Sequence, residues 1–79
     1  MDEKKLLSRI TIDSEICHGK PVIRGLRYPV ENMIELMASG MTISELLKDY
    51  PDLEEEDFYA CLLFAANYLR AKEIYKVAS

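Results

Sequence analysis

Three basic residues stand close together in a stretch broken by glycine and proline. They are Lys20, Arg24 and Arg27, set among Gly19, Pro21, Gly25 and Pro29. A guanidinium is a planar fork of five donors that matches a carboxylate or a phosphate. A rigid loop with two such forks and a lysine suits a DNA backbone or an acidic protein surface. The same arginines can instead pair internally with acids such as Glu31 or Glu35, fixing the loop to the segment that follows. Just upstream, Cys17 and His18 are by type a nucleophile and a base. Neighbouring side chains on an extended segment point to opposite faces, so adjacency does not bring them within hydrogen-bond reach. That also argues against a metal site, and no CxxC or second His adds ligands. The acid run Glu54-Glu55-Glu56-Asp57 has a structural explanation. In the first turn of a helix, the macrodipole favours negative charge.

There is no G-x-S-x-G, P-loop or nucleotide fingerprint in the chain. The expectation is a non-enzymatic protein with no metal, no cofactor and no small-molecule substrate. An enzyme using Cys17 and His18 is the least favoured alternative.

These residues must be positioned by a small framework. The chain has 79 residues, 49% of them apolar, which suits one globular domain spanning 1–79. A chain this short buries roughly 60% of the surface its unfolded form exposes, so a monomer is marginally stable. No apolar run approaches the ~20 residues of a membrane span. The N-terminus leads into no signal-peptide core, and two cysteines are too few for a disulfide framework. A cytoplasmic protein with reduced thiols is expected. The net charge of −4 is uneven: residues 1–29 carry +2 and residues 30–79 carry −6. Contact with a polyanion would therefore use the basic N-terminal part or a composite surface.

Residues 6–12 are rich in β-branched residues, and Arg9, Thr11 and Asp13 alternate with Ile10 and Ile12, which predicts a short strand. Residues 13–29 hold the breakers, with Val22-Ile23 or Leu26-Arg27-Tyr28 as a second strand to form a ribbon. A first helix is expected over Val30–Ser39, started by Pro29 and stopped by Gly40. A second begins at Thr42, where Thr42-Ile43-Ser44-Glu45 fits a capping box, and ends at Pro51. Asp52 is read as the N-cap of a third helix reaching about Val77. Its inward stripe is read as Phe58, Leu62, Ala65, Ala66 and Leu69, with Arg70, Lys72 and Lys76 complementing the dipole at its end. From Phe58 to Leu69 that helix is apolar on more than one face, and the surplus, Tyr59, Leu63, Ala66 and Tyr68, is a candidate dimer or partner interface. The other reading of this surplus is a helix satisfied within a tight bundle.

Two short helices across a Gly turn, then a longer third, match a helix-turn-helix unit over residues 30–77. Its second helix offers Ser44 and Lys48 to DNA, but also Glu45 and Asp49. Such a unit can also be purely structural or dimerising.

Beyond these patterns, the segment from Gly19 to Val30 resembles the signature G-K-P-x-I-x-G-T-R-x-x-V of the domain-of-unknown-function family 433. Met37–Thr42 resembles its L-A-x-G-x-S/T turn, and Glu45–Leu53 its E-I/L-L-x-x-Y-P-x-L block. Asp57, Ala60 and Leu62–Ala66 resemble its E-D-I-x-A-A-L-x-Y-A block. Leu26 stands where Thr is usual and Phe64 where Tyr is usual. The resemblance implies a mainly α fold: a short N-terminal β-ribbon within residues 6–29, then a three-helix, homeodomain-like helix-turn-helix domain. Some members of that family resemble VapB-type antitoxins, which bind a PIN-like ribonuclease toxin and can repress their own operon. The expected protein is a homodimeric, antitoxin-like regulator with a toxin partner and operator DNA. Lys20, Arg24, Arg27, Ser44 and Lys48 are the candidate DNA- or partner-binding residues. The alternative is a homodimeric adaptor of the same fold that does not bind DNA.

Overall fold

The computed structural model describes residues 2–72. Among them the order is α1 (Glu3–Leu7), β1 (Ile10–Thr11), a single 3₁₀ turn (Cys17–Gly19), β2 (Val22–Ile23), α2 (Val30–Ala38), α3 (Ile43–Asp49) and α4 (Glu55–Lys72). The fold is mainly α-helical with a small antiparallel β pair, Ile10 opposite Ile23 and Thr11 opposite Val22.

α1 was not expected. Asp2 caps it by accepting from the Lys4 N–H at 3.0 Å, and Glu3 lies in its first turn. Leu6 and Leu7, read as the start of a strand, belong to this helix. The strand shrinks to two residues, and Ile12 beyond it is 64% exposed. The partner strand is Val22–Ile23. Leu26-Arg27-Tyr28 is no strand, because the chain turns back at Arg24 and Gly25. Both have positive φ, 47° and 69°, and the Leu26 N–H donates to the Ile23 carbonyl at 2.8 Å. Two successive left-handed residues are the signature of a type I′ turn.

α2 begins after Pro29, and its first N–H is satisfied by the Pro21 carbonyl at 2.9 Å. It ends in a Schellman arrangement. Gly40 has φ 106° and donates to the Met37 carbonyl, while Met41 donates to the Leu36 carbonyl. α3 carries the expected capping box, with the Thr42 hydroxyl accepting from the Glu45 N–H and the Glu45 carboxylate accepting from the Thr42 N–H.

α4 starts two residues later than expected, at Glu55, and Asp52 is not its cap. The Asp52 carboxylate accepts from the Tyr28 hydroxyl at 3.0 Å. The Glu54 N–H is satisfied from within the first turn, by the Asp57 carboxylate at 2.8 Å. The expected continuation to Val77, with Lys76, lies outside the described residues.

The core joins Ile23 from the hairpin, Val30 and Met33 from α2, Leu46 from α3, Leu53, and Phe58 and Cys61 from α4. Tyr28 of the hairpin meets Tyr50 at the end of α3 edge-on, with ring centroids 5.5 Å apart.

Candidate functional site

The basic loop and the acid run, which the sequence treats as separate features, meet. Arg24 sits at the tip of the hairpin, its backbone N–H held by the Arg9 carbonyl at 2.7 Å. The left-handed turn aims its guanidinium at the first turn of α4. There Nε and Nη2 donate to the two oxygens of Asp57 at 3.0 and 2.9 Å. Nη2 also donates to the Asp52 carbonyl at 2.9 Å. Arg9 approaches from the other side, with Nη1 donating to Asp57 at 3.0 Å and to Glu54 at 2.7 Å.

Asp57 is 0% exposed. Burial pushes its carboxyl up, but hydrogen bonds from Arg24, from the Glu54 N–H and from Arg9 outweigh this. They hold it below the usual carboxylate range. The cluster therefore ties the stretch after α1, the hairpin and α4 together through one buried anion. Arg24 is paired internally, as one of the two readings of the loop anticipated, but with Asp57 rather than Glu31 or Glu35. Lys20 takes Glu31, at 2.8 Å between two exposed side chains.

Arg27 is exposed and joins no ion pair or side-chain hydrogen bond among the described residues. Ser44 and Lys48 are exposed on α3 beside Glu45 and Asp49. The structure does not gather Lys20, Arg24, Arg27, Ser44 and Lys48 into one patch of free charge, since Arg24 and Lys20 already hold acids.

Cys17 and His18 occupy a left-handed turn, at φ 50° and 58°, that continues into Gly19 at φ 80°. Cys17 is half-buried and His18 exposed, with no hydrogen bond joining their side chains among the described residues. The other thiol, Cys61, lies inside the core, where burial and then the Asp57 charge push it up to about 12. Such a thiol is inert.

The second feature is apolar. An open groove of about 470 Å³ runs between α2 and the C-terminal half of α4. Val30 and Ile34 form one wall, and Phe64, Ala65, Tyr68 and Leu69 the other. The Lys20–Glu31 pair sits at its edge. Tyr68 is 52% exposed and Leu69 42%. A further concavity on the α1 side shares Phe64 and Tyr68 and adds Leu7, Ile10 and Asn67.

The buried face of α4 differs from the predicted inward stripe. Leu62 and Leu69 are exposed, while Ala60 and Cys61 are buried with Phe58. The cause is α1, whose packing on α4 rotates the buried face toward Ala60 and Phe64. Of the predicted interface residues, Tyr68 is exposed, and Tyr59, Leu63 and Ala66 are partly exposed. The reading missed Ile34, Phe64 and Leu69 as groove walls and Asp57 as the buried anchor. Asp57 had a signal: one residue before Phe58 and four before Cys61, it shares a helical face with the core.

A small mainly helical domain with a short β pair, two arginines closing on a buried aspartate, and an apolar groove is the class these features define. A sequence model of the family described as "Protein of unknown function (DUF433)" matches residues 10–65, and the chain belongs to that family. Its fold is similar to the crystal structure, at 2.00 Å, of a DUF433 member protein from Anabaena variabilis ATCC 29413. The TM-score is 0.74 at 29% identity, over 92% of this chain and 74% of that one. The chain is also 33% identical over 64 residues to the uncharacterized protein y4eO of Sinorhizobium fredii (strain NBRC 101917 / NGR234). That alignment takes in 80% of this chain but 29% of the relative's length. No described helix is long and apolar enough to cross a membrane.

Proposed function

We propose that this domain is a non-enzymatic, antitoxin-like regulator that works by binding protein, with the α2–α4 groove as its docking site. The observation that carries the reading is the pair Tyr68 and Leu69, exposed on the wall of an apolar groove. Apolar surface with an aromatic anchor is what an interface core uses. The resemblance of some family members to VapB-type antitoxins makes a PIN-like ribonuclease the expected occupant. An amphipathic helix of that partner fits the groove in chemistry, laying apolar side chains between Ile34 and Tyr68. The reading includes a homodimer in the cytoplasm.

The test is isolation of the tagged protein from its native cell at low salt, with everything that accompanies it identified. A small ribonuclease in stoichiometric amount is the expected result. Recovery of the homodimer alone moves the domain to the adaptor reading.

A second reading adds operator DNA, with α2 and α3 as a homeodomain-like helix-turn-helix. What favours it is that Arg27, Ser44 and Lys48 are exposed, with Arg27 held in no ion pair among the described residues. Binding through phosphates weakens steeply with salt. Arg27→Ala and Lys48→Ala together should remove it, and binding that survives both would end this reading.

A further inference from the structure

Beside the groove, α4 carries a second surface that the other described residues leave uncovered. α4 spans 18 residues, about 27 Å. α1 covers one flank and α2 the other, as the two concavities show. At 100° per residue, the face left between them carries Glu55, Tyr59, Leu62, Leu63, Ala66 and Arg70. Leu62 on this face is 46% exposed. The stripe is apolar in its middle, acidic at its N-terminal end and basic at its C-terminal end.

We infer that two copies of this chain pair through this face of α4, antiparallel, with Glu55 of each facing Arg70 of the partner subunit. Charge order chooses the direction. A parallel pair would set acid against acid and base against base, whereas an antiparallel pair closes an ion pair at both ends. The same register matches shape. It places the Tyr59 ring over Ala66 of the partner subunit, a large side chain over a small one, and brings Leu62 and Leu63 together at the two-fold axis. Isologous contact of this kind is the commonest symmetry of soluble dimers.

The bonds these residues make within α4 do not block the pairing. Glu55 accepts from the Tyr59 hydroxyl at 3.1 Å, and Arg70 donates to Asn67, both at exposed side chains. The inference rests on the homodimer reading above and supplies its geometry. It leaves the α2–α4 groove open for a different partner.

Sedimentation equilibrium of the full 79-residue chain tests it, with Glu55→Arg, Arg70→Glu and the double variant. All sites are exposed, and circular dichroism reports that each variant is folded. Each single reversal creates two like-charge contacts per dimer. It should weaken association about tenfold or more. The double variant restores both pairs and should return to within about threefold of the parent. A parent chain that dimerises but does not respond to either reversal, or singles that the double fails to rescue, overturns the α4 register and leaves the homodimer standing. A parent that stays at 9.1 kDa up to about 1 mM overturns both.

Discussion

Asp57 is the residue on which the arrangement turns. Its carboxylate takes the guanidinium of Arg24 by two bonds, that of Arg9 by one and the Glu54 N–H by a fourth. Removing the charge leaves two arginines facing a neutral buried group. Asp57→Asn should therefore cost about 2–3 kcal/mol, below the full value for a buried pair because both guanidiniums reach solvent. Arg24→Ala should cost about 1–2 kcal/mol on the same reasoning. Arg27→Ala, only three residues away, should leave urea unfolding unchanged. Equal losses for Arg24 and Arg27 would contradict the geometry. The pH dependence has a definite sign. The Asp57 carboxyl lies below its unfolded value of about 3.9 when folded. Its contribution is full above about pH 5 and drains away as the pH falls through the folded value. The parent should lose more stability between pH 7 and pH 3 than Asp57→Asn does. From sequence alone the dipole accounts for all four acids 54–57, and only the spacing of Asp57 to Cys61 marks it as facing the core. What separates Asp57 is its partners, one 33 and the other 48 residues away, and local spacing does not carry that information.

At the scale of elements, local signals worked where local chemistry decides. The capping box at Thr42 and the Gly40 stop were readable, because each rests on residues within a few positions of one another. The strand partner, eleven or more residues from Ile10–Thr11, stayed open between Val22–Ile23 and Leu26-Arg27-Tyr28. Thr42→Ala should cost about 1 kcal/mol by urea denaturation, since the Thr42 hydroxyl that accepts from the Glu45 N–H is lost while the backbone half of the box remains. No change would mean that Pro51 and the core alone hold α3. α1 went unread because Ile10, Thr11 and Ile12 set a period of two, which was extended back over Leu6 and Leu7. The cap at Asp2 and the Glu3 that follows were the overlooked signal. The inward face of α4 was misassigned for the same cause. A helix packed against α1 as well as α2 turns differently from one packed against two neighbours of a three-helix unit.

For the whole molecule, a surplus of apolar residues on α4 was visible in composition, and the structure exposes Leu62, Tyr68 and Leu69, of which the sequence set only Tyr68 outward. Its division into two surfaces was not visible. That needs α1 and α2 in place on either flank, leaving a bare ridge at Leu62 and a groove at Tyr68. The basic loop shows the reverse. Its charge was obvious, and its largest commitment is internal, to Asp57 and Glu31. The molecule therefore offers more to a protein partner than to a polyanion. Quantitative co-purification from the native cell tests this most directly, with the parent chain compared against Tyr68→Glu and Lys48→Glu. Docking in the α2–α4 groove predicts a ribonuclease partner recovered with the parent and with Lys48→Glu, and lost with Tyr68→Glu. A partner retained by Tyr68→Glu, or lost only with Lys48→Glu, would contradict it.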